Sequence, residues 1–375
     1  MVDTISQYNN IKEKIDKAVD AVISSGMYIN GPVVQEFRQH LATYLDVAHV
    51  VPCANGTDAL QIALMTLNLK PGDEVITTPF TFVATAEVIA LLGLKPVFVD
   101  IEYDTFNIDP TLIEAAITEK TKAIIPVHIF GQSANMSSIL EIASKHQLYV
   151  VEDAAQSIGA DYIFPDGRVA RTGTIGDIGT TSFYPSKNLG AYGDGGAIFT
   201  QNDELAAKLW TICNHGSNVK YYHSEIGVNS RLDAIQAAIL NIKLSHLDEY
   251  NASRQEAANT YQSLLGDLEE LVLPYQAAYS RHVFHQYTLR VKAGEAMRDA
   301  IKADLQANDI PSMIYYPVPL HLQDAYKGYG YKVGDFPIAE QASREVLSLP
   351  MHSELDIQQL RHICKQVKQA VFQSV

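Results

Sequence analysis

Between about residues 48 and 200 the chain alternates short apolar runs with helix-like stretches, and few folds accommodate that pattern. The runs are His49–Pro52, Glu74–Thr78, Pro96–Asp100, Ala123–His128, Tyr149–Asp153, Thr180–Tyr184 and Gly196–Thr200. Several are rich in Val and Ile with little polar alternation, as strands buried on both faces should be. Helical patterns lie between them, such as Thr57–Leu69, Thr81–Leu92 and Ser137–His146. The alternation predicts an α/β fold with a mostly parallel seven-stranded sheet and helices on both faces. Ligands of such sheets bind beyond the carboxyl ends of the strands. Asn55, His128, Asp153 and Ser182 fall at or just past such ends.

After Asp203 a helix is predicted to about Asn214, followed by a stretch rich in Gly, Asn and Tyr. Leu232, Ile235, Ile239, Ile242 and Leu247 then recur at helical spacing, and the helix is read as continuing towards Leu265. Further on, Phe284–Val291 reads as a strand, Glu295–Ala307 as a helix and Asp356–Phe372 as a C-terminal helix. Pro311, Pro317 and Pro319 punctuate a loop returning towards the cleft. At 375 residues the chain exceeds the usual single-core size, so a large domain (1–245) and a smaller C-terminal α+β domain (246–375) are expected.

The net charge of -15 argues against a nucleic-acid or anionic-membrane surface, so an anionic substrate needs a local cluster of cations in a cleft. Cys53, Cys213 and Cys364 are too few and scattered for a disulfide framework or zinc site, and suggest a cytoplasmic protein with reduced thiols. The stretch from Met1 to Gly26 is broken by charges and is no signal peptide. No uncharged apolar run approaches the ~20 residues of a membrane span.

Lys187 follows a buried run and precedes the glycine-rich Gly190–Gly196 segment. A loop lysine is usually a solvated charge, but this position suits an amine that bonds an aldehyde and later moves protons. Asp153 closes an apolar strand. It reads as a helix cap or as the carboxylate that keeps a pyridine nitrogen protonated, with Gln156 one turn on to meet the ring hydroxyl. Gly56 and Thr57 open a helix whose free amides suit a phosphate, and Ser182 adds a hydroxyl. Phe82 is a candidate to stack on the ring. Amine, anion and anion cradle together point to pyridoxal phosphate (PLP). His282 and His285 sit in a strand-like run that would face them apart, so no metal site is expected, and neither a dinucleotide fingerprint nor a P-loop is present.

The motifs Ala54-Asn55-Gly56-Thr57-Asp58, Val127-His128-Ile129-Phe130-Gly131, Glu152-Asp153-Ala154-Ala155-Gln156-Ser157, Ser182 to Asn188, Gly193-Asp194-Gly195-Gly196 and Asn229-Ser230-Arg231-Leu232-Asp233 occur in one order. In this the chain resembles the DegT family of sugar-nucleotide aminotransferases. The resemblance implies the aspartate aminotransferase-like (type I PLP) fold. It assigns Lys187 to the aldehyde, Asp153 to the ring nitrogen, Gln156 to the ring oxygen, and Gly56, Thr57 and Ser182 to the phosphate. It also implies a homodimer with shared active sites, in which Asn229 reaches the partner's cofactor phosphate and Arg231 the partner's substrate. Relatives that dehydrate instead replace the lysine with histidine; Lys187 favours transamination.

Within the family, Asn214 to His223 and His282 to Arg290 most resemble enzymes that aminate the 3-keto group of a UDP-2-acetamido-3-oxo-glucuronic acid with L-glutamate, for O-antigen and other surface polysaccharides. Arg231 and His321 would supply cations for this UDP-sugar. Tyr316 and His321 match the family's substrate loop, and Tyr28 and Asn30 are the residues the resemblance offers for the uracil. The alternatives are a dTDP-linked 3-keto or 4-keto deoxyhexose, a PLP-fold regulator, and a sugar dehydratase.

Overall fold

A computed structural model describes residues 2–374; Met1 and Val375 lie outside the described residues. Two helices lead. In α1 (Thr4–Ser25) the Asp3 carboxylate accepts from the Ser6 amide at the start, and Gly26 (φ 67°) makes the left-handed stop. Proline takes the first position of α2 (Pro32–Leu45). Then β1 (His49–Cys53), α3 (Gly56–Thr66), β2 (Glu74–Thr77), α4 (Ala84–Leu91), β3 (Lys95–Phe98), α5 (Ile113–Ala116), β4 (Thr121–Ile124), α6 (Met136–His146) and β5 (Tyr149–Asp153) alternate. A small antiparallel pair, β6 (Asp161–Ile163) and β7 (Val169–Arg171), precedes β8 (Ile178–Ser182), β9 (Gly196–Thr200) and α7 (Asp203–Cys213).

The large sheet has seven strands in the order β1-β9-β8-β5-β4-β2-β3. Pairing is parallel from β8 through β5, β4 and β2 to β3, while β9 lies antiparallel to both β8 and β1. Only β9 therefore runs against the rest, and the carboxyl ends of β1, β8 and β5 open on one edge. One apolar cluster packs α3, α4 and α7 on the sheet, and another joins α2 and α8 (Ala234–Leu244) to β1 and β9. The sheet is thus covered on both faces, which is why its strands read as near-continuous apolar runs.

The expected long helix to Leu265 is two helices, α8 and α9 (Leu247–Leu265). His246 (φ -107°, ψ 0°) leaves helical geometry, and the Ser245 hydroxyl donates to the Ile242 carbonyl at the end of α8. The apolar spacing survives the two-residue break, so periodicity alone does not reveal it. Leu247 still belongs to the core with α2, whereas Ala257, Tyr261 and Leu265 pack into a separate core. That core holds β10 (Leu271–Val272), β12 (Tyr287–Val291) and β13 (Val346–Leu349) in a three-stranded antiparallel sheet, with α10 (Glu295–Ala307) and α12 (Ile357–Ser374) against it. Between β10 and β12, β11 (Ser280–Arg281) pairs with β6, and α11 (Pro337–Glu345) leads into β13.

The expected strand over 284–291 begins only at Tyr287. Phe284 is left-handed (φ 44°), and the Arg254 guanidinium donates to the carbonyls of Phe284 and His285, drawing that backbone out of the ladder. The run at 180–184 lies two residues earlier, as β8. A Cβ at Gly179 would collide with the Gly173 carbonyl oxygen, so the second residue of the strand has to be a glycine, which reads as loop. Among the described residues no helix is long and apolar enough to cross a membrane.

Candidate active site

Asp153 ends β5 and Glu152 precedes it, so strand alternation sends the two carboxylates to opposite faces. Glu152 is saturated: it accepts from the amides of Gly173 (2.9 Å), Ile175 (2.6 Å) and Gly176 (2.7 Å) and from His128 Nε2 (2.8 Å). His128 Nδ1 accepts from the Ala134 amide, so the proton sits on Nε2. This buried pair is an anchor that fixes the strand end. Asp153 is only 6% exposed, and its Oδ2 accepts from the Thr85 hydroxyl (2.8 Å) and its Oδ1 from the Ala155 amide (3.2 Å). Three residues before Thr85, Phe82 stands 56% exposed, and its carbonyl lies 3.3 Å from the same Thr85 hydroxyl.

Gln156 is fixed from both sides. Its Oε1 accepts from the Phe130 amide (2.7 Å), and its Nε2 donates to the Tyr316 hydroxyl (3.1 Å), leaving one N–H over. Tyr316 arrives from the proline-punctuated loop, and burial pushes its phenol up, so it stays protonated. Lys187 follows a turn in which its own amide donates to the Tyr184 carbonyl. Its side chain is half-buried, and no hydrogen bond or ion pair holds the amine among the described residues. Removal from water lowers its pKa to about 8, with the Asp153 charge opposing the shift.

The cradle depends on missing side chains. Asn55 caps α3 by accepting from the Asp58 amide (2.8 Å), which leaves the first two amides, of Gly56 and Thr57, without an acceptor inside the helix. A Cβ at Gly196, the first residue of β9, would stand 2.4 Å from the Asn55 carbonyl oxygen; one at Gly56 would stand 2.6 Å from Ser182 Cβ. Two glycines thus let the start of α3 cross the reversed strand and reach Ser182 on β8. Free amides, a helix N-terminus and a hydroxyl converge there, which is what a phosphate requires. A phosphate at the cradle, a ring between Phe82 and the Asp153 side, and an aldehyde at Lys187 fit these residues. PLP therefore fits the site.

The profile of the DegT/DnrJ/EryC1/StrS aminotransferase family matches residues 9–368. The chain belongs to this family. Family members are sugar aminotransferases that work with PLP, and the amine, carboxylate and cradle above suit that chemistry. The chain is 49% identical to a "pleiotropic regulatory protein" of Geobacillus stearothermophilus, with 98% of this chain and 97% of the relative covered. It is 46% identical to the UDP-2-acetamido-2-deoxy-3-oxo-D-glucuronate aminotransferase of Pseudomonas aeruginosa, over 97% of this chain and 98% of that one. It is 40% identical to a dTDP-3-amino-3,4,6-trideoxy-alpha-D-glucose transaminase of Streptomyces venezuelae, over 98% and 95%. The crystal structure of a family aminotransferase from Brucella abortus superposes with a TM-score of 0.92 at 42% identity, covering 98% of each chain. The aspartate aminotransferase-like fold expected from the motifs is the fold found.

The remaining sequence candidates lie elsewhere. Asn229 is exposed and Arg231 half-buried, and neither side chain has a partner among the described residues. Between them the Ser230 hydroxyl donates to Asp58 (2.6 Å) and accepts from the Ala54 amide, pinning the segment behind the start of α3. Tyr28 and Asn30 are exposed next to it: Ile29 bridges Asp233, and the Tyr28 carbonyl accepts from the Ala234 amide.

His321 does not supply a cation to the cleft. It is 1% exposed, its Nε2 pairs with Glu340 (3.1 Å), its ring packs on Phe336, and burial lowers its pKa. The His282 ring stacks on Phe284 and its Nδ1 accepts from the Phe284 amide, so the strand expected to separate His282 from His285 is absent. Sequence reasoning missed Thr85, the Glu152–His128 pair and Asn188. The one signal for them was Glu152 beside Asp153 in an otherwise apolar run, where alternation requires a second buried acid with its own partners.

Proposed function

We propose that the chain moves the amino group of L-glutamate onto the 3-keto carbon of a UDP-2-acetamido-3-oxo-glucuronic acid, providing an amino sugar for a surface polysaccharide such as O-antigen. The observation that carries this reading is the 46% identity, over nearly the whole chain, to the Pseudomonas aeruginosa aminotransferase named for that sugar. Sugar amination is the family's activity; the choice of sugar is the proposal.

When bound, PLP supplies the aldehyde that carries the amino group and a ring that withdraws electrons from the reacting carbon. Lys187 would hold the aldehyde, and its free amine would carry the proton between the donor carbon and the cofactor's aldehyde carbon in one half-reaction and back to the sugar carbon in the other. A pKa near 8 keeps a useful fraction of free base at neutral pH. Asp153 keeps the ring nitrogen protonated. The spare Nε2 hydrogen of Gln156 meets the ring oxygen, Phe82 covers the ring, and Gly56, Thr57 and Ser182 hold the phosphate. Tyr316 faces the reacting group.

In a homodimer, Asn229 would add to the partner's phosphate cradle and Arg231 would meet the acid or diphosphate of the partner's UDP-sugar, with Tyr28 and Asn30 near the uracil. The exposed apolar side chains Met27, Tyr28 and Ile29, and Tyr221, Tyr222 and Ile226 beyond α7, support such an interface. Three buried free cysteines fit a cytoplasmic setting.

A dTDP-linked 3-keto deoxyhexose is the second reading, favoured by the 40% identical Streptomyces venezuelae transaminase. The test is a visible absorption spectrum. Glutamate should bleach the cofactor's band, and the UDP-keto-uronate should restore it. Bleaching without recovery leaves an aminotransferase and removes this sugar; recovery with the dTDP-keto-hexose selects the second reading.

A further inference from the structure

Two buried hydroxyls, Thr81 and Thr85, bracket Phe82 in the chain. Thr85 Oγ1 lies 2.8 Å from Asp153 Oδ2, 3.1 Å from Thr81 Oγ1 and 3.3 Å from the Phe82 carbonyl oxygen. It has one hydrogen for these three neighbours. The carboxylate stands nearest and can only accept, so Thr85 donates to Asp153. The contact with Thr81 then runs the other way, with Thr81 as donor. The result is a directed relay from Thr81 through Thr85 to Asp153, in which each hydrogen bond strengthens the next.

The relay is anchored at both ends. Thr81 follows a turn that is tied down twice, by the Phe80 amide on the Thr78 hydroxyl (3.2 Å) and by the Leu320 amide on the Pro79 carbonyl (2.8 Å). At the far end Asp153 Oδ1 accepts from the Ala155 amide (3.2 Å). With a donor on each oxygen, the plane of the carboxylate is fixed. Thr85 also reaches Phe82 through its backbone, its amide donating to the Phe82 carbonyl (3.3 Å). Closing the first turn of α4 does not call for the hydroxyl, since the amides of Ala86 (3.1 Å) and Glu87 (2.9 Å) both donate to the Val83 carbonyl. One threonine therefore ties together the two groups that, on the reading above, meet the cofactor ring at its nitrogen and on its face.

We infer that Thr85 is a positioning residue for the ring nitrogen of the cofactor. Its hydroxyl holds the Asp153 carboxylate in one orientation before the ring arrives, and Thr81 acts through it. The inference rests on Asp153 being the partner of that nitrogen, as proposed above.

The test uses the full-length chain freed of cofactor and titrated with two probes: pyridoxamine phosphate, and its analogue with carbon in place of the ring nitrogen. Neither has an aldehyde, so Lys187 takes no covalent part. The wild type should prefer the nitrogen compound. Thr85→Val keeps the branched shape without the hydroxyl. It should lose about 10-fold in affinity for pyridoxamine phosphate, because the ring must then order the carboxylate itself, and less than about twofold for the carbon analogue. Thr85→Ser keeps the hydroxyl and should stay within about twofold of the wild type for both probes. Unchanged affinities in Thr85→Val overturn the inference. So does an equal loss for both probes, or a loss in Thr85→Ser as large as in Thr85→Val, since either would be a packing effect. If Thr85→Val does not fold, Thr85→Ala set against Thr85→Ser is read by the same criteria. A wild type that binds the two probes equally well takes Asp153 away from the ring nitrogen. The functional reading of Asp153 then fails and this inference with it, whereas failure in the variants alone leaves that reading standing.

Discussion

Asp153 and Arg231 belong to the same candidate site but are held in opposite ways. Asp153 is enclosed, bonded on both oxygens, and backed by Glu152 with four donors of its own. Arg231 stands half-buried with no side-chain partner among the described residues, in a segment held by the Ser230 hydroxyl and by backbone contacts at Asn229 and Asp233. On the proposed reading most of the cofactor half lies within one chain, because strand ends, a capped helix and two glycines place Asp153, Gln156, Gly56 and Ser182 before anything binds. The substrate half is a surface that awaits other atoms, those of a ligand and, on the proposed reading, of a second copy. Preorganised polar groups suit chemistry common to a family, and an unfinished surface suits a substrate that varies within it.

Substitutions in the enclosed half should therefore abolish chemistry, while those in the open half should change recognition. Lys187→Ala is expected to lose about four orders of magnitude in turnover, since both the aldehyde's partner and the proton carrier go, with the protein still folded. Single-turnover kinetics check this, and appreciable residual turnover would mean that another amine does the work. Asp153→Asn keeps the shape and an acceptor for Thr85 but removes the charge that holds the ring proton. The glutamate half-reaction should slow by about 10²- to 10³-fold. A near-wild-type rate would take Asp153 out of the enclosed half.

Arg231→Ala should act on the other side of the divide. Loss of a charge-assisted contact should raise KM for the sugar nucleotide by about 10- to 100-fold and leave the glutamate half-reaction unchanged. Mixing this variant with Lys187→Ala sharpens the comparison. If Arg231 serves the partner's site, the mixed dimer regains one intact site and the wild-type KM returns; if it serves its own, the mixture keeps the raised KM of Arg231→Ala.

The same divide separates what could be read in the sequence from what could not. Tyr149–Asp153 and Gly196–Thr200 were legible to the residue, because strands buried on both faces leave an apolar run with sharp ends. Lys187, Asp153 and Gly56 could be singled out because the proposed chemistry requires particular residue types at or beside strand ends; their roles toward PLP belong to the proposed reading. Features fixed by tertiary contacts were not legible. Arg254 drawing on the Phe284 and His285 carbonyls shortens a predicted strand, and the break at His246 leaves helical periodicity intact. His321 was misplaced for the same reason, since its partner Glu340 lies on α11, nineteen positions along.

The smallest expected effect concerns how rigid the enclosed half is. Lys243 on α8 is 1% exposed, and its ammonium donates to the Gly190 carbonyl (2.6 Å), at the end of the loop that carries Lys187. Among the described residues no carboxylate pairs with it. Burial, with Arg254 nearby, lowers its pKa from 10.5 to about 8. The folded state therefore binds fewer protons than the unfolded state between about pH 8 and 10.5, and stability rises with pH across that window. Below pH 8 the penalty of the buried charge is fully present. A shift of this size corresponds to about 1–3 kcal/mol after allowance for relaxation. Lys243→Met should remove most of this rise, while losing about 1 kcal/mol from the unpaired Gly190 carbonyl. Urea denaturation at pH 7 and pH 9.5 reads both effects. A rise as steep in the variant as in the wild type would mean that Lys243 is not the buried charge responsible, and that the lysine loop is held by packing alone.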